Sequence, residues 1–321
     1  MRNNILTTIF SLLIVFIFLE LILRFSGDKP TINDLAREED PVVYKKHNKL
    51  GWVHKPGEYL FQPWSKEGKI TKFTINEDGS RKIRNQSESN KKILFFGGSL
   101  TEGWAVGDEE NFVNYFQNFN LNFKVFNFGV GGYGGFQSLL LQEIVTKNLK
   151  GIDHIIYGFI DHHEVRNVAS GSWLYLLNKY SNRGHVKIPF ASLDSGNLTR
   201  NEPTKYFRLP LSSYSALISK IEKRVMKLKS YDREKNKFEI SKLIIENMYS
   251  NSNNLDAKFT VVFLDVKQEN LKNYKDFLYK KNINFVNCQF NPDEIVLGES
   301  HPNALNHKIV AQCLSKNLKL N

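Results

Sequence analysis

Two cysteines in 321 residues, Cys288 and Cys313, are too few to give a disulfide framework, and no Cys/His spacing resembles a metal site. Cysteine usage therefore leaves the redox compartment open. Zinc-finger and RNA-recognition signatures are also missing. The lysines are scattered rather than clustered, so a nucleic-acid partner is not expected. Only one long apolar run occurs, which excludes a multi-span membrane protein, and nothing resembles a collagen repeat. Apolar residues at 41% and charged residues at 24% exclude wholesale disorder. What is present is a basic excess, 44 Lys plus Arg against 33 Asp plus Glu, giving a formal charge of +11 that favours anionic surfaces. The length suits about two domains or one large domain with appendages.

The apolar run is Ile5 to Leu23, ILTTIFSLLIVFIFLELIL. It is about as long as a helix needs to cross ~30 Å of hydrocarbon, with Glu20 placed to reach the far headgroups. It exceeds the apolar core of a usual signal peptide, and Arg24-Phe25-Ser26-Gly27 lacks a small-residue cleavage site, so residues 1–27 read as an uncleaved anchor. Arg2 and the terminal amine are nearly balanced by Arg24 and Lys29 across the span, which leaves the positive-inside rule almost silent. The short tail favours an extracytoplasmic body, periplasmic or extracellular.

Residues 28–90 are rich in Pro, Gly, Trp and charge, with a β-like piece near Lys69 to Ile75, and read as an extension packed on the main domain. From residue 91 the pattern changes. KILFF (92–96), FKVFNF (123–128), HIIYGFI (154–160), FTVVFLDV (259–266) and NFVN (284–287) are short apolar runs of buried-strand type. Between them Gln137 to Leu149, Ser212 to Lys229, Lys237 to Tyr249, Gln268 to Lys281 and Ala304 to Leu318 carry apolar residues at helical spacing. Alternating strand and helix predict an α/β domain over residues 91–321, a parallel sheet covered on both faces. Ligands of such sheets bind at the carboxyl ends of the strands.

Three blocks stand at such ends. Gly97-Gly98-Ser99-Leu100-Thr101-Glu102-Gly103 puts a serine hydroxyl at the tip of the first core strand, in a turn whose glycines allow close approach of backbone to a ligand. Asn127 to Gln137 holds five glycines at the second strand-to-helix junction, in the wrong place for a dinucleotide fingerprint. Gly298-Glu299-Ser300-His301-Pro302-Asn303, after the last strand, puts a carboxylate and an imidazole on one loop. A serine activated by a histidine, itself held by a carboxylate, is the usual route to a nucleophilic hydroxyl at neutral pH.

Together these blocks resemble the SGNH/GDSL hydrolase family from about Lys91 to the end of the chain. GGSLTEG looks like the first family block with Ser99 as nucleophile, NFGVGGYG like the second with Gly132 as its glycine, and ESHPNALNH like the last with His301 as base. Leu50-Gly51-Trp52, Pro56-Gly57 and NEDGSR (76–81) are similar to membrane-anchored members encoded with polysaccharide machinery. The resemblance implies a flavodoxin-like three-layer α/β/α fold, no metal or organic cofactor, and hydrolysis or transfer of acyl esters through an acyl-serine.

The chain departs from the family pattern at three points. Gly98 stands where the family has aspartate. The block expected to offer an asparagine amide reads GFIDHHEVRN; alignment on the strand puts His162 there and His163 at the following aspartate, whereas alignment on the glycine would put Ile160 there. A ring N–H can donate, so His162 joins the amides of Ser99 and Gly132 as the expected oxyanion donors. The acid before His301 is Glu299, with Asp293 in reserve. An insertion at about residues 168–211 carries Trp173, Tyr175, Tyr180, Phe190, Tyr206 and Phe207 and is expected either to border the site as a lid or sugar platform, or to pack on the domain. The basic helices from Ser212 to Lys242 read as a solvated face, with attraction to anionic lipid as the minor reading. The expected activity is a serine esterase or acyltransferase acting on O-acyl, chiefly O-acetyl, esters of an envelope or secreted glycan. A lipid-directed esterase and a catalytically inactive binding module are the competing expectations.

Overall fold

The computed structural model describes residues 2–31, 43–61, 69–180, 186–298, 300–318 and 320. The chain opens with helix α1 (Arg2–Phe25), whose stretch Asn4–Phe25 is long and apolar enough to cross a membrane. Two small antiparallel pairs follow, β1 (Tyr44–His47) with β2 (Gly51–His54) and β3 (Gly57–Phe61) with β4 (Thr71–Ile75). Next come β5 (Lys92–Gly97), α2 (Ser99–Glu102), α3 (Phe112–Phe119), β6 (Lys124–Gly129), α4 (Gly135–Thr146), β7 (Ile152–Ile160) and α5 (His162–Asn167). The remainder is α6 (Gly171–Tyr180), the hairpin β8 (Ile188–Asp194) and β9 (Asn197–Thr204), α7 (Ala216–Lys235), α8 (Lys237–Asn253), β10 (Lys258–Asp265), α9 (Gln268–Lys280), β11 (Asn284–Asn287) and α10 (Ala304–Asn317).

Compactness divides the chain differently from the linear scheme of residues 1–27, 28–90 and 91–321. One unit comprises Met1–Arg37, Ser170–Val186 and Lys205–Asp232; the other comprises Glu38–Ala169, Lys187–Thr204 and Arg233–Asn321.

The larger unit is built on a five-stranded sheet in the order β11-β10-β7-β5-β6, with every neighbouring pair parallel. Counted by appearance, that order is 2-1-3-4-5, the flavodoxin-like doubly wound arrangement. The strands read as continuous apolar runs because helices cover both faces. Side chains alternate along β5: Leu94 and Phe96 join Phe136 and Leu139 of α4, Ile244 and Met248 of α8, and Tyr274 and Leu278 of α9. Ile93 and Phe95 join Phe112 and Phe116 of α3 with Val310 and Leu314 of α10. The three-layer α/β/α fold is therefore the one expected from the alternation of patterns. Helix α3 was not expected, although Phe112, Val113, Phe116 and Phe119 have helical spacing and Asn111 caps it by accepting from Asn114 N at 3.0 Å.

The two cysteines, which sequence spacing left unread, form a disulfide. Cys288, just beyond β11, is thereby tied to Cys313 on α10. The segment from Val43 to Ile83 belongs to this same unit, and a backbone bridge from Arg81 to Asn127 attaches it beside β6.

Candidate active site

Ser99 is the first residue of α2, directly beyond β5, and its side chain is partly exposed. The turn is tied to the glycine loop by Val130 N donating to Gly97 O at 3.0 Å. In that loop Gly132 adopts φ +82°, a left-handed conformation that a Cβ would oppose. The extension clamps the same loop from outside. Trp52 Nε1 donates to Gly131 O at 3.0 Å, Gln137 Nε2 donates to Leu50 O at 2.8 Å, and the Tyr133 hydroxyl donates to Trp52 O.

His301 lies on the loop between β11 and α10, 202 residues from Ser99 in sequence, yet its Nε2 is 3.0 Å from Ser99 Oγ. The loop is held by Val296 N donating to His301 O at 2.9 Å and by Asn306 Nδ2 donating to the carbonyls of Asn291 and Glu294. Asn303 caps α10 by accepting from Asn306 N at 3.0 Å. A hydroxyl and an imidazole at this distance, both reachable from solvent, can pass a proton between them, which is the geometry of a nucleophile with its base. Glu299, the expected acid, lies outside the described residues. Asp293 is exposed.

Beneath the serine turn lies a set of buried charges that sequence reasoning missed. Glu102 is fully buried, and its Oε1 lies 2.7 Å from His54 Nε2 and accepts from the Tyr44 hydroxyl at 2.8 Å. His54 Nδ1 lies 2.8 Å from Gly79 O, which can only accept, so Nδ1 carries a proton. A second proton must then lie between imidazole and carboxylate. Arg81, also fully buried, donates to the carbonyls of Glu102, Gly103 and Val106, lies 3.6 Å from Asp108 Oδ1, and covers the Phe73 ring at 4.1 Å. Burial pulls its guanidinium below the usual arginine range, against the opposing pull of Asp108 and Glu102. Asn127 of β6 donates to Thr101 O at 2.9 Å. The carbonyls of the serine turn are thus satisfied from below by Arg81 and Asn127, leaving Ser99 at the surface of a rigid support. The signals were visible only in part: Glu102 sits inside GGSLTEG and Arg81 ends NEDGSR, but neither spacing announces a partner.

The two histidines after β7 separate. His162 is exposed on the first turn of α5, and among the described residues no hydrogen bond joins it to Ser99 or His301. His163 is fully buried, with Nδ1 2.7 Å from the Tyr157 hydroxyl. Burial pushes the His163 imidazole well below its usual range and the Tyr157 phenol well above its own, so both are neutral. His163 Nε2 faces Gly98: a Cβ on Gly98 would meet it at 2.9 Å and Tyr133 O at 3.1 Å. Glycine at position 98 therefore has a local cause, because an imidazole from α5 occupies the space a side chain would need.

Among the described residues no group of His, Cys, Asp and Glu is placed to hold a metal. Four of the six rings of the 168–211 segment have contacts with other side chains. Tyr206 is buried edge-on to Tyr175, Lys229 covers Phe207, and Arg233 covers Phe190. Residues 181–185 and the Tyr180 side chain lie outside the described residues.

No protein-family model and no curated protein sequence matches the chain. Among solved structures it is similar to a member of the lipolytic G-D-S-L family from Veillonella parvula, at 12% identity over 72% of this chain and 100% of that one, with TM-score 0.39. A catalytic mutant of Axe2, an acetylxylan esterase from Geobacillus stearothermophilus, matches at 14% identity over 73% of this chain and 96% of that one, with TM-score 0.41. The native aryl esterase of M. smegmatis matches at 12% over 70% of this chain and 97% of that one, also with TM-score 0.41. These are remote similarities, and what this chain does has to be inferred from its own side chains.

Proposed function

We propose that the chain is an anchored serine esterase or O-acyltransferase of the SGNH/GDSL type, working through an acyl-serine. The 3.0 Å approach of His301 Nε2 to Ser99 Oγ, across 202 residues of sequence, carries this reading. His301 takes the proton as Ser99 attacks the ester carbonyl, then returns it to the leaving alcohol; water or a sugar hydroxyl resolves the acyl-enzyme. The amides of Ser99 and Gly132 receive the developing oxyanion, with His162 as the third donor proposed from alignment. Removing one such donor typically costs about 2.7 to 4 kcal/mol of transition-state stabilisation. Glu299 orients His301. No metal or organic cofactor takes part. The substrate class is the O-acyl ester, and O-acetyl groups of an envelope or secreted glycan follow from the resemblance of the upstream stretch.

Two observations support an extracytoplasmic body held by α1. The Cys288–Cys313 disulfide suits an oxidising compartment. Glu20, near the end of the apolar run, accepts from the backbone amides of Ala216 and Leu217, so cleavage after the run would strip α7 of its capping carboxylate.

The test is fluorophosphonate labelling of the intact protein, followed by acetyl release from candidate polysaccharides. Labelling of the native chain, lost in Ser99→Ala and reduced in a folded His301→Ala, is the expected outcome. Undiminished labelling of Ser99→Ala would overturn the assignment. For His162→Ala, turnover equal to that of the native protein would remove it from the oxyanion site.

A further inference from the structure

In the smaller unit, α7 starts where α1 ends. Glu20 of α1 accepts from Ala216 N and Leu217 N, each at 2.9 Å, and from Ser215 Oγ at 2.7 Å, while Arg24 donates to Tyr214 O at 2.6 Å. Just past the apolar run, Lys220 Nζ meets Asp28 Oδ2 at 2.6 Å and Thr31 N donates to Ser212 O at 3.1 Å. A carboxylate at the first turn suits the helix dipole, and these contacts fix the origin of α7 at the level of the last turns of α1.

The face that α7 turns outward is unusual for a water-exposed helix. Its buried positions are Ala216, Ser219, Glu222, Met226 and Ser230, a single stripe at three- and four-residue spacing. On the opposite side Ile221, Leu228 and Tyr231 are 46%, 68% and 61% exposed, and Leu211 and Tyr214 in the turn just before are 62% and 77% exposed. Scattered exposed apolar residues are ordinary, whereas a row of them along one helix face asks for a cover. Lys220, Lys223, Arg224, Lys227 and Lys229 flank the row. Between Lys220 and Lys229 the one acidic residue, Glu222, is turned inward and accepts from Leu209 N at 2.7 Å; the exposed Asp232 follows the row.

We propose that this outward face of α7 lies on the headgroup surface of an anionic phospholipid bilayer, in the same membrane that α1 crosses. Large apolar side chains between flanking lysines and arginines are the pattern of a helix lying in the interfacial plane. Attachment to the end of an apolar span puts the face beside that interface, and its charge complements anionic headgroups. A second copy of the chain, itself of formal charge +11, does not offer this charge match. The proposal rests on α1 being a retained membrane span.

The experiment uses the full chain carrying Leu228→Cys, labelled with an environment-sensitive fluorophore. Among the described residues there is no free cysteine to compete. The labelled protein is reconstituted in vesicles of phosphatidylcholine alone or mixed with phosphatidylglycerol. We expect a blue shift, loss of iodide quenching and strong quenching by shallow nitroxide lipids, all larger in the anionic vesicles, and the same at Tyr231→Cys. Combined replacement of Lys220, Arg224 and Lys227 by Gln should abolish the difference between the two vesicle types. A label that stays open to iodide in both vesicles overturns the proposal, and so does one shielded from iodide but untouched by nitroxide lipid, which would mean a protein cover. Equal lipid quenching in both vesicles overturns the anionic preference. Alkaline carbonate washing separates the two readings: release of the protein refutes the span, whereas retention with a wet label refutes only the docking of α7.

Discussion

Gly98 shows how one residue carries information that its neighbours in sequence do not hold. Its missing side chain is explained by His163, which approaches from α5 and packs against Tyr157 and Phe159. Gly98→Ala should therefore lower stability by about 1 to 3 kcal/mol through overpacking. Combining it with His163→Ala should recover part of that loss, a coupling that urea unfolding of the two single variants and the double variant would measure. Strict additivity would mean that the two positions do not touch. The serine turn was legible from GGSLTEG as a hydroxyl at a strand end, although the same pattern also fits a helix cap. Arg81 was not, since a buried guanidinium is defined by the carbonyls it meets, and those come from a turn more than twenty residues away.

At the level of elements, the parallel strands and their covering helices were readable because burial on both faces leaves an uninterrupted apolar run. Each of the five expected core strands is present within two residues of its expected bounds. Short elements escaped more easily: α3 shows helical spacing over only eight residues, α5 is six residues long, and the β8–β9 hairpin alternates weakly, with most of β9 only partly covered. The disulfide between the end of β11 and α10 closes a sequence separation of 25 residues. On the chain-entropy view, a loop of this size is worth about 3 to 4 kcal/mol. The Cys288→Ser/Cys313→Ser variant should unfold at correspondingly lower denaturant, read as a shift in the midpoint, with a slope no shallower than that of the native protein because the freed denatured chain expands. No shift would mean that the bond does not form in the folded protein.

Acid stability is a property of the whole molecule. His154 is lowered from 6.5 to about 4 and His307 to about 3, in both cases chiefly by burial, and His47, His162 and His163 are lowered in the same direction. His154 and His307 stay neutral in the folded state while the unfolded chain takes up protons, so their contribution to folding stability is complete above about pH 6.5. It falls as pH drops from 6.5 towards about 4. Each such histidine adds a slope of up to about 1.4 kcal/mol per pH unit. The loss should already be measurable at pH values above those at which ordinary carboxylates titrate. Replacing His154 with Gln should flatten the slope by up to one proton, whatever it does to absolute stability. An unchanged slope in urea titrations across that interval would show that His154 titrates normally in the folded protein.

The sequence by itself determined the apolar helix, the five core strands with the longer helices α4 and α7 to α10, and the two side chains, Ser99 and His301, that meet beyond the strand tips. These follow from local burial patterns and from small-residue turns at strand ends, both of which are written over short stretches of chain. Tertiary structure alone decided that Cys288 and Cys313 pair, that His163 explains Gly98, and that Glu102, His54, Tyr44 and Arg81 meet beneath the serine turn. Such contacts join segments far apart along the chain, and a buried charge or thiol has no period of its own: its partner is chosen by packing, after the sheet has brought the segments together.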